Sequence, residues 1–394
     1  MGEKMVRLMR GAVCMVSLVL AMSGGLPFTA TGVQAQAQPP VATEPTAPEN
    51  LRCPGPMLSL DPETQRIVYV WQDHVSFPRT LDDQGPIGVA LDRACNVYLT
   101  DTERSQVLKV APDGDVLAQW GTDGHGPGQF HRPAAVAVDG DGNIYVADSG
   151  NDRVQKLSPK GVTLAVWQTC LPGSTPCAPT PGSGPGQFFD PEGVAVDGQG
   201  NVYVSEGVNH RVQKLTRDGT SLAVFGGQQG RAPGQFDSPR GLAIDRAGNL
   251  YVADLNNNRV QKLSPSGQPL ASFGLGTGAG PGQLTQPRGV AVDGSGNVYV
   301  SDTQNHRVEL FGPDGSFRAQ WRRCEDDPAV CQFPNSGGGP GEFFYPRGVV
   351  ADAAGDLFVA DTSNGRVQRF IQVVAPLPDV SGMEGQACPV CSPS

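Results

Sequence analysis

Short apolar runs separated by polar turn residues recur along this chain, and their lengths suit strands rather than helices. In one stretch Val194-Ala195-Val196, Val202-Tyr203-Val204, Arg211-Val212-Gln213-Lys214-Leu215 and Leu222-Ala223-Val224-Phe225 follow one another. Gly200-Asn201 and Asp218-Gly219 interrupt them. Runs this short, rich in β-branched and aromatic residues and bounded by such dipeptides, predict antiparallel strands joined by hairpins. With 52 glycines and 35 prolines in 394 residues, long helices have almost no room.

The same unit repeats six times. Its first aspartates are Asp92, Asp139, Asp197, Asp245, Asp293 and Asp352, spaced by 47, 58, 48, 48 and 59 residues. Four strands per unit at this period predict radial blades around an axis. Trp120, Trp167, Phe225, Phe273 and Trp321 follow five of the copies. The last copy has no aromatic residue after Phe370, whereas Trp71 precedes them all. In the last copy, strands a, b and c are read as Gly348-Val349-Val350-Ala351, Leu357-Phe358-Val359-Ala360 and Arg366-Val367-Gln368-Arg369-Phe370. Its fourth strand is expected from Ile67-Val68-Tyr69-Val70-Trp71, which would leave no open sheet edge at the seam. The fold class expected is all-β, a six-bladed β-propeller with an N-terminal strand closing the last blade.

Segments such as Asp148-Ser149-Gly150-Asn151-Asp152-Arg153-Val154-Gln155-Lys156-Leu157 and Thr303-Gln304-Asn305-His306-Arg307-Val308 resemble NHL repeats. The resemblance covers about residues 60–372 and implies a six-bladed propeller, in agreement with the count of units.

The ends read differently. Lys4, Arg7 and Arg10 precede an apolar run, and Ala35-Gln36-Ala37 offers a cleavage site, so residues 1–37 are expected to be a secretory signal. Residues 38–56 form a Pro/Ala-rich linker, 57–373 the propeller, and 374–394 a tail with a cysteine pair. Removing the signal moves the formal net charge from −10 to −12, because it carries three basic residues and the acid Glu3. A chain this acidic, without a basic block, gains little from counterion release, so nucleic acid is not an expected partner. No later segment is long and apolar enough for a helical membrane span. The expected location is secreted or periplasmic, and a monomer is expected.

Eight cysteines remain after the signal, and an oxidising compartment makes disulfides the default. Cys170 and Cys177 lie in one insert and Cys324 and Cys331 in another, each pair expected to bond within its own insert. Cys53 and Cys95 are each expected to bond one of Cys388 and Cys391, stapling the seam.

Five acid–arginine pairs recur at a separation of five residues: Asp148/Arg153, Glu206/Arg211, Asp254/Arg259, Asp302/Arg307 and Asp361/Arg366. They are expected to tie strand b to strand c as structural ion pairs. The connectors from strand d to the next strand a carry stretches such as Gly126-Pro127-Gly128-Gln129-Phe130, whose Phe is expected to plug the space between blades.

The residue after each connector proline starts the innermost strand. In order these are Ile87, Ala134, Glu192, Arg240, Arg288 and Arg347. Three successive arginines opposite apolar residues suggest a site for an anionic or carboxylate-bearing ligand, because guanidinium binds carboxylate through paired hydrogen bonds. Glu192 and His131 join the three arginines as candidate contacts. A six-bladed NHL ring is also similar to peptidyl-α-hydroxyglycine α-amidating lyase, a resemblance that implies zinc held by histidines around the axis. The five histidines are His74, His125, His131, His210 and His306, and none follows a connector proline. His210 and His306 are expected at the surface of b–c turns. Asp139-Gly140-Asp141-Gly142-Asn143 begins like a calcium loop but lacks the acid at its twelfth position, so it reads as a hairpin turn. No catalytic residue, cofactor or metal is assigned. The chain is expected to be a scaffold for a protein, peptide or carbohydrate, with an extracellular lyase or hydrolase using the central channel as the alternative.

Overall fold

The computed structural model describes residues 65–76, 85–170, 172–173, 179–321, 337–339, 341–353 and 355–376. The expected signal and linker, residues 377–394 of the expected tail, and Cys53, Cys177, Cys324, Cys331, Cys388 and Cys391 lie outside the described residues. All the described residues belong to one compact unit, Pro48–Ser394.

Six four-stranded antiparallel sheets form the six blades of a β-propeller. The first blade runs Pro86–Leu91, Val97–Asp101, Gln106–Val110 and Val116–Trp120, from strand a to strand d. The next four blades repeat this order from Pro133–Val138, Pro191–Val196, Pro239–Ile244 and Pro287–Val292. In the last blade Pro346–Ala351, Leu357–Asp361 and Arg366–Pro376 supply strands a to c, and Gln65–Ser76 lies beside Arg366–Pro376 as the fourth.

The register of that fourth strand differs from the sequence reading. In the first five blades the strand-d aromatic stands opposite a strand-c valine, as with Val154 and Trp167 or Val308 and Trp321. In the last blade Val75 stands opposite the equivalent Val367, and Trp71 stands opposite Phe370. Elsewhere a tight c–d turn fixes the alignment, whereas here strands c and d come from opposite ends of the sequence and only their mutual pairing sets it.

The c–d turns explain the aromatic repeat. Ser158-Pro159-Lys160-Gly161 closes with Gly161 donating its N–H to the Ser158 carbonyl at 2.9 Å, and φ at the glycine is +79°. A Cβ there would collide with the indole of Trp120 from the blade before. Gly219 meets Trp167 and Gly267 meets Phe225 in the same way. The strand-d rings of the first three blades therefore cover the c–d turns of the blades that follow them. The connector residues Phe130, Phe188, Phe236, Leu284 and Phe343 are completely buried, filling the gap on the other side.

The a–b turns are also self-contained. Asp139 accepts backbone hydrogen bonds from Asp141 and Asn143, a side-chain bond from Asn143 and one from the Tyr145 hydroxyl. This consumes the acceptors that a calcium loop would turn toward an ion.

Candidate functional site

The innermost strands start where the connectors end, and their first residues converge on the axis. Ile87, Ala134, Glu192, Arg240, Arg288 and Arg347 all line one cavity of about 80 Å³. A layer of aliphatic side chains from the same strands, Val89 and Leu242 among them, lies beneath. Among the residues lining this space, three carry guanidinium groups and one a carboxylate.

Close approach of the blades makes the ring tight. The glycine after each channel residue, present in five of the six blades, abuts the next blade: a Cβ on Gly289 would collide with the Arg347 carbonyl. Ser205 and Ser301 donate hydroxyl hydrogen bonds to the carbonyls of Arg240 and Arg347. Thr303 and Thr362 do the same for the carbonyls of Pro346 and Pro86, at 2.7 and 2.8 Å. The backbone that carries the arginines is thus fixed from the neighbouring blade.

Electrostatics at the mouth are strained. Burial, then repulsion from Arg288, lowers Arg240 to about 10. Burial, then Arg288, Arg240 and Arg132, lowers Arg347 to about 10, with Glu103 acting in the opposite sense. Burial also lowers Arg288. All three stay charged at neutral pH, and a shift of this size corresponds to roughly 3 kcal/mol against the charged form. Glu192 pairs with Arg240 Nη1, a contact between neighbouring blades. Asp190 also favours the charge on Arg240, while the Nε of that arginine is buried without a hydrogen-bond partner.

The five acid–arginine pairs sit around this mouth and do more than join strands b and c. Asp148 accepts from Arg153 Nε at 2.6 Å, and both side chains are buried. Asp148 also takes the His131 backbone N–H at 2.7 Å. Arg153 in turn donates to the carbonyls of His125, Gly126 and Gln129. Glu206/Arg211, Asp302/Arg307 and Asp361/Arg366 repeat the scheme with three connector carbonyls each. The arginines therefore clamp the connectors. In the first blade Arg104, not an arginine on strand c, pairs with Asp101 at 2.8 Å.

Arg259 departs from the uniform scheme that the repeat leads one to expect. Its ion pair is present, with Nε 2.8 Å from Asp254, but the side chain is 17% exposed where the other four are nearly or fully buried. Arg259 donates to two connector carbonyls, those of Ala232 and Gln235 at 3.2 and 3.0 Å. The carbonyl that would correspond to the third belongs to Arg231. This connector carries Arg231-Ala232 where the second, third and fifth blades have His125-Gly126, Ser183-Gly184 and Ala279-Gly280, so it lacks the glycine at the clamped bend. The Asp254/Arg259 ion pair is thus intact, but Arg259 is a more exposed and weaker clamp on its connector than the other four.

Two histidines expected at the surface have a structural task. His210 and His306 take left-handed backbone angles in their b–c turns. Each half-buried ring accepts, at Nδ1, a backbone N–H from the connector of the next blade: Ser238 to His210 and Tyr345 to His306, both at 3.1 Å. Asp152 and Asn258 accept the equivalent N–H groups of Asp190 and Gln286. Burial lowers the His306 pKa below its ordinary 6.5. As pH falls the unfolded chain takes up this proton first, so the contact contributes fully above pH 6.5 and is lost as pH falls through the lowered value. His306→Asn should keep the latch and remove that dependence, visible as a flatter stability profile between pH 7 and 5 in urea titrations, with an expected change of about 1 kcal/mol. An unaltered profile would exclude His306 as its source.

His131 is held in the connector, where Nδ1 meets Asp123 at 2.8 Å, and the cavity lining does not include it. His125 Nδ1 lies 2.5 Å from Asn151. Among the described residues no three His, Cys, Asp or Glu side chains come together as a metal site. Cys95 and Cys170 are disulfide-bonded, and the pairings expected for them involve residues outside those described. No described helix is long and apolar enough to cross a membrane.

A family model for the NHL repeat matches residues 130–157, 188–215, 236–263, 284–311 and 343–370. These are the second to sixth blades; the first, with Gln106 in the arginine's place, is not matched. No curated protein matches the chain. Among solved structures, a protein of unknown function from Bacteroides thetaiotaomicron VPI-5482 superposes with a TM-score of 0.54 at 18% identity, over 78% of this chain and 76% of that one. An auxiliary nutrient binding protein from the same organism gives 0.53 at 12%, over 78% and 77%. A streptogramin B lyase gives 0.50 at 14%, over 78% and 98%. At these identities the likeness is one of fold alone.

Proposed function

This chain is an NHL-repeat six-bladed β-propeller, and from that premise we propose that it is an exported binding scaffold whose connector and b–c face takes up a ligand or partner. The observation that carries the reading is the axial mouth, where three arginines from successive blades share one cavity with a single glutamate. Propeller architecture hosts many functions, so the site and not the fold must argue for one. Buried acid–arginine clamps hold the connectors around this mouth before any ligand arrives, which lowers the ordering cost of binding. The basic start, apolar run and Ala35-Gln36-Ala37 support export, as does an even cysteine count. Under this reading Cys170 pairs with Cys177, Cys324 with Cys331, and Cys53 and Cys95 with the two tail cysteines.

An enzyme of the lyase type would put metal-binding side chains on the innermost strands, where this chain has Ile, Ala, Glu and three Arg. The test is capture from the native extracellular or periplasmic fraction with the wild-type chain and with Arg240→Ala/Arg288→Ala/Arg347→Ala. Loss of a partner from the triple variant, with folding unchanged by circular dichroism, supports the scaffold. An identical catch dismisses the axis as the contact, and stoichiometric zinc or calcium in the purified protein would favour the enzyme.

A further inference from the structure

We propose that the axial mouth receives a carboxylate end group together with the aliphatic group next to it; this deepens the scaffold reading and rests on it. The six channel residues divide the mouth into two halves. Arg240, Arg288 and Arg347 come from the fourth, fifth and sixth blades, and Ile87 and Ala134 from the first and second. In a six-membered ring Arg240 therefore stands across from Ile87, and Arg288 across from Ala134. A ligand that satisfies both halves has an anionic end and an apolar flank.

Charge and size narrow the class. Glu192 is already engaged by Arg240, so it offsets one cation of the three. Arg288 adds to the positive field at both of its neighbours, and the repulsion among the guanidinium groups is relieved by an anion placed between them. Guanidinium is planar and presents paired N–H donors that match the two oxygens of a carboxylate. A cavity of about 80 Å³ is small for a whole metabolite or sugar chain but suits an end group. The aliphatic layer beneath disfavours a ligand that is polar all round, such as inorganic phosphate. Carboxylate with an adjoining aliphatic group describes both a peptide C-terminus ending in Val or Leu and a short free aliphatic acid.

Calorimetric titration separates these sources and tests the assignment. The probes are N-acetyl-Gly-Gly-Val as the free acid, the same peptide as its C-terminal amide, isovalerate, and inorganic phosphate. The free-acid peptide is expected to bind at least tenfold more tightly than the amide, and Arg288→Gln should weaken it by at least tenfold. Glu192→Gln should tighten it severalfold, because Arg240 is released toward the ligand; a purely structural cluster would show no such gain. Isovalerate matching the peptide assigns the site to free acids, and isovalerate binding much more weakly assigns it to chain termini. Equal binding of acid and amide, tighter binding of phosphate, or no saturation by either carboxylate at about 10 mM overturns the proposal. Those outcomes leave the scaffold reading intact if partner capture still depends on the face. Capture that ignores the three arginines, with the acid peptide still bound, would remove the scaffold reading and leave the carboxylate site.

Discussion

Asp148→Ala should lower the stability of the propeller by about 3–5 kcal/mol, read as a shift of the urea midpoint followed by circular dichroism. Asp148 is fully buried and accepts hydrogen bonds from Arg153, Asn151, Gln155 and the backbone of His131. Its removal strands a guanidinium that is only 1% exposed and orphans a connector N–H. Both losses carry the desolvation penalty of a buried group left without its partner. Asp302→Ala gives an internal comparison. In that blade Glu309 replaces the usual glutamine and lies 3.1 Å from Arg307, so a second carboxylate stays beside the cation. The Asp302 variant should therefore lose less than the Asp148 variant. Asp101→Ala, whose partner Arg104 is 35% exposed, should lose about 1 kcal/mol or less. Equal, small effects at all three positions would mean that these pairs are solvated and that the connectors are held by something else.

Those pairs show what the sequence could reveal and where it fell short. An acid five residues before an arginine, repeated five times, exposes the ion pair but not its second task. The carbonyls that Arg153 clamps lie 24 to 28 residues upstream, in a connector whose own pattern reads only as a turn. For the same reason the spacing alone gives Arg259 the same standing as the other four, because what loosens it is a connector far upstream. The axial arginines were legible because proline marks the start of each innermost strand, so one position per blade had to face the axis. The Glu192–Arg240 pair was not, because its partners are 48 residues apart and meet only when blades are neighbours. His210 and His306 look like ordinary turn residues in one dimension. Their N–H partners are 28 and 39 residues away, and the second separation is longer because it crosses the insert between the fifth and sixth blades. Blade number followed directly from the repeat, since six copies of a four-strand unit leave few alternatives.

Removing residues 1–76 should abolish the soluble folded state, a loss comparable to the whole net stability of a domain, about 5–15 kcal/mol. Gln65–Ser76 pairs with Arg366–Pro376 at eleven positions, interrupted by one bulge after Trp71. Without it, an eleven-residue strand presents its unpaired N–H and C=O groups to solvent, an invitation to edge-to-edge association. Loss would spread beyond that sheet, because the last blade is also tied to the first: the Thr362 hydroxyl bonds the Pro86 carbonyl, and Gly348 abuts the carbonyl of Ile87. No c–d turn anchors the strand, so a synthetic peptide of residues 65–76 should restore folding in trans, in proportion to its concentration. The comparison requires the chain from residue 38 as reference, so that loss of residues 1–37 and loss of the strand are separated. Sedimentation and circular dichroism of both chains decide the matter. A truncated chain that stays monomeric and unfolds at the reference temperature would place the ring's closure elsewhere. A peptide that rescues it equally well after its order is scrambled would show edge-capping without register.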